Sequence, residues 1–147
     1  MTFSLSDSGT IEVFPADVKT SLDLLLIPGL SAGFPSPAAD FIDLTIDLNK
    51  ELIKNPPSTF LARIEGDSMK DVSICNGDIV VIDKSLKASD GKIIVAFLDG
   101  VFTVKRIRVE KNGCWLCAEN SKYPAIWVTE GNNFQIWGVV VHVIKSF

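Results

Sequence analysis

Ser68 and Lys105 are the two residues whose types and settings could do chemistry together. Ser68 stands in the turn-rich stretch Glu65-Gly66-Asp67-Ser68-Met69, and Lys105 in Phe102-Thr103-Val104-Lys105-Arg106, which has strand character. Alternation along that strand puts Val101, Thr103, Lys105, Ile107 and Val109 on one face and Phe102, Val104, Arg106 and Arg108 on the other. Lys105 is therefore expected on the more apolar face, without its arginine neighbours. Burying an ammonium is costly, and a lowered pKa that keeps the amine neutral meets that cost and leaves a base. Two plainer readings stand beside this one. A strand lysine can carry its amine out to solvent at a sheet edge, and a serine in a Gly-Asp-Ser turn can serve only the backbone of the turn. Upstream, the small-residue pair Ala32-Gly33 lies in a stretch broken by Pro28-Gly29, Pro35 and Pro37. Serine, lysine and dipeptide together suggest a peptidase whose substrate is itself.

Other nucleophile and base combinations are harder to build. The single histidine, His142, lies in the valine-rich run Val139-Val140-Val141-His142-Val143, which reads as a structural strand. Nothing resembles a Cys-His pair, so Ser-Lys is the combination left. Asp67, adjacent to the candidate nucleophile, cannot readily orient a base for it and is assigned to the turn. Cys114-Trp115-Leu116-Cys117 has a CxxC spacing but no second pair, and with Cys75 the three cysteines read as small core residues. No metal and no cofactor are expected.

The chain has 147 residues, 47% of them hydrophobic, and a formal charge of −4. That length suits one domain with an appendage, since domains commonly run to roughly 100–150 residues. An acidic balance argues against direct nucleic-acid reading, because neutralising phosphates needs a surplus of Lys and Arg. Any link to DNA should run through another protein. An odd number of cysteines fits a reducing cytoplasm. The apolar run Leu24-Leu25-Leu26-Ile27 is far shorter than the ~20 residues a membrane span needs, and although Leu30-Ser31-Ala32 mimics a signal-peptidase site, Lys19 and Asp23 crowd the run before it. No membrane association is expected.

The elements that must position Ser68 and Lys105 read as follows. Residues 1–39 form an irregular arm with two short apolar pieces, Ile11 to Phe14 and Leu22 to Ile27. Ser36 and Pro37 could cap and open a short helix from Ala38 to about Leu44, and a second helix is expected from Asn49 to Ile53, ended by Pro56-Pro57. From Ser58 the period becomes that of strands, at Thr59–Ile64, Ile79–Ile82, Lys92–Leu98, Val101–Val109, Trp115–Ala118, Ile126–Val128 and Phe134–Ile144. Asp99-Gly100 is a hairpin signal for a type I′ turn, and Lys111-Asn112-Gly113 suggests another. About seven short strands with tight turns imply a mostly β domain over residues 40–147, an antiparallel sandwich or partly open barrel.

Several segments, taken in order, carry a family resemblance: Ala32 to Asp40, Ile46-Asp47-Leu48-Asn49, Gly66-Asp67-Ser68-Met69, Asn76-Gly77-Asp78-Ile79, Phe102-Thr103-Val104-Lys105, Trp137-Gly138-Val139-Val140 and His142-Val143. Over residues 32–145 the chain resembles the LexA/UmuD-type self-cleaving serine peptidases. The resemblance implies Ser68 as nucleophile, Lys105 as general base and Ala32-Gly33 as the scissile bond. It implies the backbone amides of Asp67 and Ser68 as oxyanion donors. It further implies a homodimer, cleavage triggered by a RecA filament on single-stranded DNA during the SOS response, and a shortened form that serves a UmuC-type translesion polymerase. A LexA-type repressor would need an N-terminal helix-turn-helix domain, which an acidic-to-neutral segment broken by Pro15 and Pro28 does not supply. The rival of another class is a non-catalytic, dimeric, polymerase-binding module in which Ser68 and Lys105 are relics.

Overall fold

A computed structural model describes residues 2–3, 11–16, 18–19, 23–26, 33 and 44–147. Within them eleven strands form: β1 (Thr2–Phe3), β2 (Ile11–Pro15), β3 (Asp23–Leu26), β4 (Leu44–Asp47), β5 (Thr59–Arg63), β6 (Ile79–Asp83), β7 (Ile93–Leu98), β8 (Val101–Glu110), β9 (Gly113–Cys117), β10 (Ile126–Trp127) and β11 (Phe134–Ile144). Nine of the described strands make one antiparallel sheet in the order β1-β2-β5-β6-β11-β7-β8-β9-β10, and β3 pairs with β4 alone. The sheet is open, with β1 and β10 at its ends. The mostly antiparallel β class is the one expected from the strand signals.

The helix expected from Asn49 to Ile53 is α1 (Leu48–Leu52), opened by Asp47, whose carboxylate accepts from the Asn49 amide at 3.0 Å. The earlier helix expectation, Ala38 to Leu44, lies outside the described residues except at its end, and there it is corrected. Leu44 opens β4 and pairs with Leu26. The irregular reading of both apolar pieces is also corrected: within Ile11 to Phe14, β2 pairs with β5 and Val13 is buried, and within Leu22 to Ile27, Asp23–Leu26 form β3. Short apolar pieces have no period to declare themselves, and here a distant strand edge with free ladder groups decides their conformation.

Strand β11 runs through the middle, between β6 and β7, with register shifts at Ile136/Gly138 and Val140/His142. Alternation in β7 sends Val95 to one core and Ile94 and Ala96 to another. The first core also takes Ala62, Val80, Ile82, Phe102 and Val104, with Met69 and Ile74 from the loop after β5. Phe60, Trp137, Phe102 and Phe97 cross it as successive ring contacts, with centroids 5.0, 6.0 and 5.3 Å apart. The second core holds Ile94, Ala96, Ile107, Leu116 and Val139. The β7–β8 hairpin turns on Asp99 and Gly100, both at positive φ (49° and 88°), as a type I′ turn requires. That turn sets the register in which β8 presents Lys105.

Candidate active site

Ser68 belongs to the loop between β5 and a 3₁₀ turn at Lys70–Val72. The base of the loop is closed like a ladder: the Ile64 amide donates to the Asp78 carbonyl at 2.8 Å, and the Gly77 amide to the Ile64 carbonyl at 2.8 Å. Gly66, at φ 90°, turns the chain where a side chain would be strained, and its amide donates to Asn76 Oδ1 at 3.0 Å. Met69 and Ile74, each 2% exposed, root the loop in the first core. Ser68 is left half-buried on the wall of a cleft of about 770 Å³.

The segment after β9 braces this loop from behind. The Glu119 amide donates to the Ser68 carbonyl at 2.9 Å, and the Asp71 amide donates to the Glu119 carbonyl at 2.9 Å. Asn120, itself buried, donates through Nδ2 to the Asp67 carbonyl at 3.0 Å, and the Tyr123 hydroxyl donates to Asp67 Oδ1 at 2.8 Å. The Asp67 side chain is thus engaged with Tyr123. Among the described residues the backbone amides of Asp67 and Ser68 have no acceptor. Both remain available to a ligand.

Lys105 is 9% exposed, and its Nζ donates to Thr103 Oγ1 at 2.6 Å, to the Val104 carbonyl at 3.0 Å and to Ser68 Oγ at 3.3 Å. Thr103 and Lys105 share a strand face, as alternation requires. The expectation that this face is the drier one is corrected, because Phe102 and Val104 opposite enter the first core while Ile107 enters the second. Both faces of β8 are covered here, and burial lowers the Lys105 pKa from 10.5 to about 8.

Three acceptors suit an ammonium with three N–H groups. When one proton leaves, the two remaining N–H groups can stay on the Val104 carbonyl and Thr103 Oγ1. The lone pair then faces the Ser68 hydroxyl, and the direction of that hydrogen bond reverses. The arrangement can therefore take a proton from serine once the amine is neutral.

Of the residues singled out from the sequence, Ser68, Lys105 and Asp67 come together at the cleft. Gly33 is exposed and is not in its lining; Ala32 lies outside the described residues. His142 pairs with Val81 on the strand ladder and does not line the cleft. Among the described residues no His, Cys, Asp and Glu cluster could hold a metal, Cys75, Cys114 and Cys117 are free thiols, and no helix is long and apolar enough to cross a membrane. Thr103, Glu119, Asn120 and Tyr123 were not singled out. Thr103 had a signal, its place two residues before Lys105 on one face; the others reach the loop by tertiary contacts that no spacing announces.

Residues 25–141 match the Peptidase S24-like family. The chain is similar to the protein SamA of Salmonella typhimurium, 44% identical over 78% of this chain and 79% of that one. It is similar to the protein MucA of Escherichia coli, 40% identical over 77% of each chain. It is also similar to the LexA repressor of Paracidovorax citrulli, 35% identical over 94% of this chain and 61% of the repressor. The chain belongs to the Peptidase S24-like family, among its UmuD-type, SOS-related self-cleaving serine peptidases.

Proposed function

We propose that Ser68 and Lys105 form the catalytic dyad and that the bond they cut is Ala32-Gly33 in the chain's own N-terminal arm, residues 1–39. The observation that carries this reading is a buried amine, its pKa lowered to about 8, whose Nζ lies 3.3 Å from Ser68 Oγ on a cleft wall. Neutral Lys105 takes the Ser68 proton as Oγ bonds to the Ala32 carbonyl carbon, and the amides of Asp67 and Ser68 receive the developing oxyanion. The Ala32–Gly33 C–N bond breaks, the Lys105 ammonium protonates the departing Gly33 amine, and an ester on Ser68 remains. Water, deprotonated by Lys105, then frees Ser68. Small Ala32 and Gly33 suit a segment threaded past a packed wall.

The product, residues 33–147, is on this reading a cytoplasmic homodimer that serves as accessory subunit of a UmuC-type error-prone polymerase, and a RecA filament on single-stranded DNA triggers the cut. Likeness to UmuD-type relatives supports these partners. The test is the intact mass after incubation with RecA, ATP and single-stranded DNA, and separately at alkaline pH. The expected outcome is a new N-terminus at Gly33 in the parent and none in Ser68→Ala or Lys105→Ala. A different N-terminus would refute the bond assignment, and an uncut parent under both conditions would favour the non-catalytic, polymerase-binding module.

A further inference from the structure

Arg106 follows Lys105 on β8, and alternation sends its side chain to the opposite face, away from the amine. There Nη1 donates to the Gly91 carbonyl at 2.6 Å, and Nε pairs with the Glu119 carboxylate. In the ladder Arg106 stands opposite Cys117, the last residue of β9. Glu119, two positions on, is its diagonal neighbour on the same face. Through its backbone, Glu119 grips the nucleophile loop on both sides, at the Ser68 carbonyl and the Asp71 amide. One residue therefore joins the strand that carries the amine to the loop that carries the hydroxyl.

An exposed ion pair adds little to stability, and this one is partly exposed, at 28% and 27%. Its consequence is geometric. The contact between Lys105 and Ser68 is 3.3 Å, at the long end of hydrogen bonding, so a small displacement of the loop breaks it.

We propose that Arg106 is a positioning residue of the self-cleavage reaction: its guanidinium holds Glu119, and the Glu119 backbone sets Ser68 Oγ against Lys105 Nζ. The inference rests on the dyad reading above.

The test is a double-mutant cycle on the full chain, read as self-cleavage rate against pH, with Arg108→Ala as a control on the same face two residues on. Arg106→Ala and Glu119→Ala should each slow cleavage by about 10- to 100-fold at neutral pH, the scale of an ångström misplacement. The double variant should be no slower than either single. A loosened loop wets Lys105, so the pH midpoint should rise from about 8 towards the ordinary lysine value in these variants and stay in place in Arg108→Ala. Glu119→Gln keeps size and backbone, guards against a variant that fails to fold, and should move rate and midpoint the same way. Parental rates, multiplicative losses in the double variant, or a slower rate with an unmoved midpoint would each overturn the proposal. Cleavage that persists in Ser68→Ala would instead remove the dyad, a distinct failure that takes this inference with it.

Discussion

On the proposed dyad, a buried lysine with a pKa of about 8 ties activity and stability to the same proton. Cleavage should rise with pH through about 8 and level off once the amine is neutral, which a rate–pH profile of the parent checks. Lys105→Arg should be inactive at every pH, because a guanidinium stays charged and cannot accept the serine proton. The same burial costs stability. Between about 8 and 10.5 the unfolded chain holds a proton that the folded one has lost, so stability rises with pH through that window, and below it the full penalty of roughly 3 kcal/mol applies. Lys105→Met should therefore melt higher than the parent at neutral pH, with the gap closing towards pH 10.5; equal melting temperatures across the range would contradict the burial argument. Thr103→Val keeps shape but removes the acceptor for one amine proton, and should slow cleavage about tenfold with little change in melting. That Ser68 and Lys105 meet was legible in the sequence, because the other nucleophile and base pairs could be eliminated and flanking motifs matched a family. Asn120 and Tyr123 were not legible, since an amide and a phenol that meet a loop from far along the chain leave no periodic trace.

The elements behind the site were legible wherever local chemistry fixes them. Alternation and turn residues placed the seven strands from Thr59 onward to within a few residues, because both signals lie in each strand's own segment whichever strand it pairs with. Strands β1, β2, β3 and β4 were not, as each is short and its conformation is chosen by a partner outside its own segment. The Asp99-Gly100 turn shows how an element carries the site. Besides its positive φ, Asp99 accepts from Asn132 Nδ2 at 2.7 Å and from the Asn133 amide at 2.8 Å, fastening the hairpin beside the start of β11. Asp99→Ala should cost about 1–3 kcal/mol in denaturant unfolding, from strained φ and lost acceptors, and Asp99→Gly should recover only the φ part. At the end of β6, Asp83 is buried, which alone would raise its pKa. Donors from Ser85, Asn55 and Ser58 more than offset that and hold it below 3.8. Its contribution is present above pH 3.8 and lost as pH falls towards the lowered value, so Asp83→Asn should flatten the acid limb of a stability–pH curve.

For the whole molecule, several apolar side chains of the described residues stay outside both cores, and four of them stand near one another in sequence at the C-terminal end. Val141, Val143 and Ile144 near the end of β11 are 37%, 38% and 39% exposed, and Phe147 beyond them is fully exposed. Val141 and Val143 are two apart on β11 and Ile144 follows directly, whereas the part of β11 before them puts Val139 into the second core and packs Trp137 and Val140 against the first. Apolar side chains clustered in this way on a chain with net charge −4 are an association surface or an aggregation liability. Over Val141–Ile144 the strand is paired to β6 alone, its pairing with β7 ending at Val139, so an open ladder edge lies beside these apolar side chains, which a partner would bury. Association through this surface should then be hydrophobic: insensitive to salt, and lost when a charge is placed within it. The parent should sediment as a dimer at micromolar concentration in both low and high salt, before and after cleavage. Val143→Glu with Phe147→Glu should give a folded monomer, since both side chains lie outside the cores. A parental monomer, or a double variant that stays dimeric, would show that these residues serve no self-association. The cleavage rate of that monomer then separates two routes: a first-order rate independent of concentration places the cut within one chain, and a rate that collapses with the dimer places it between two.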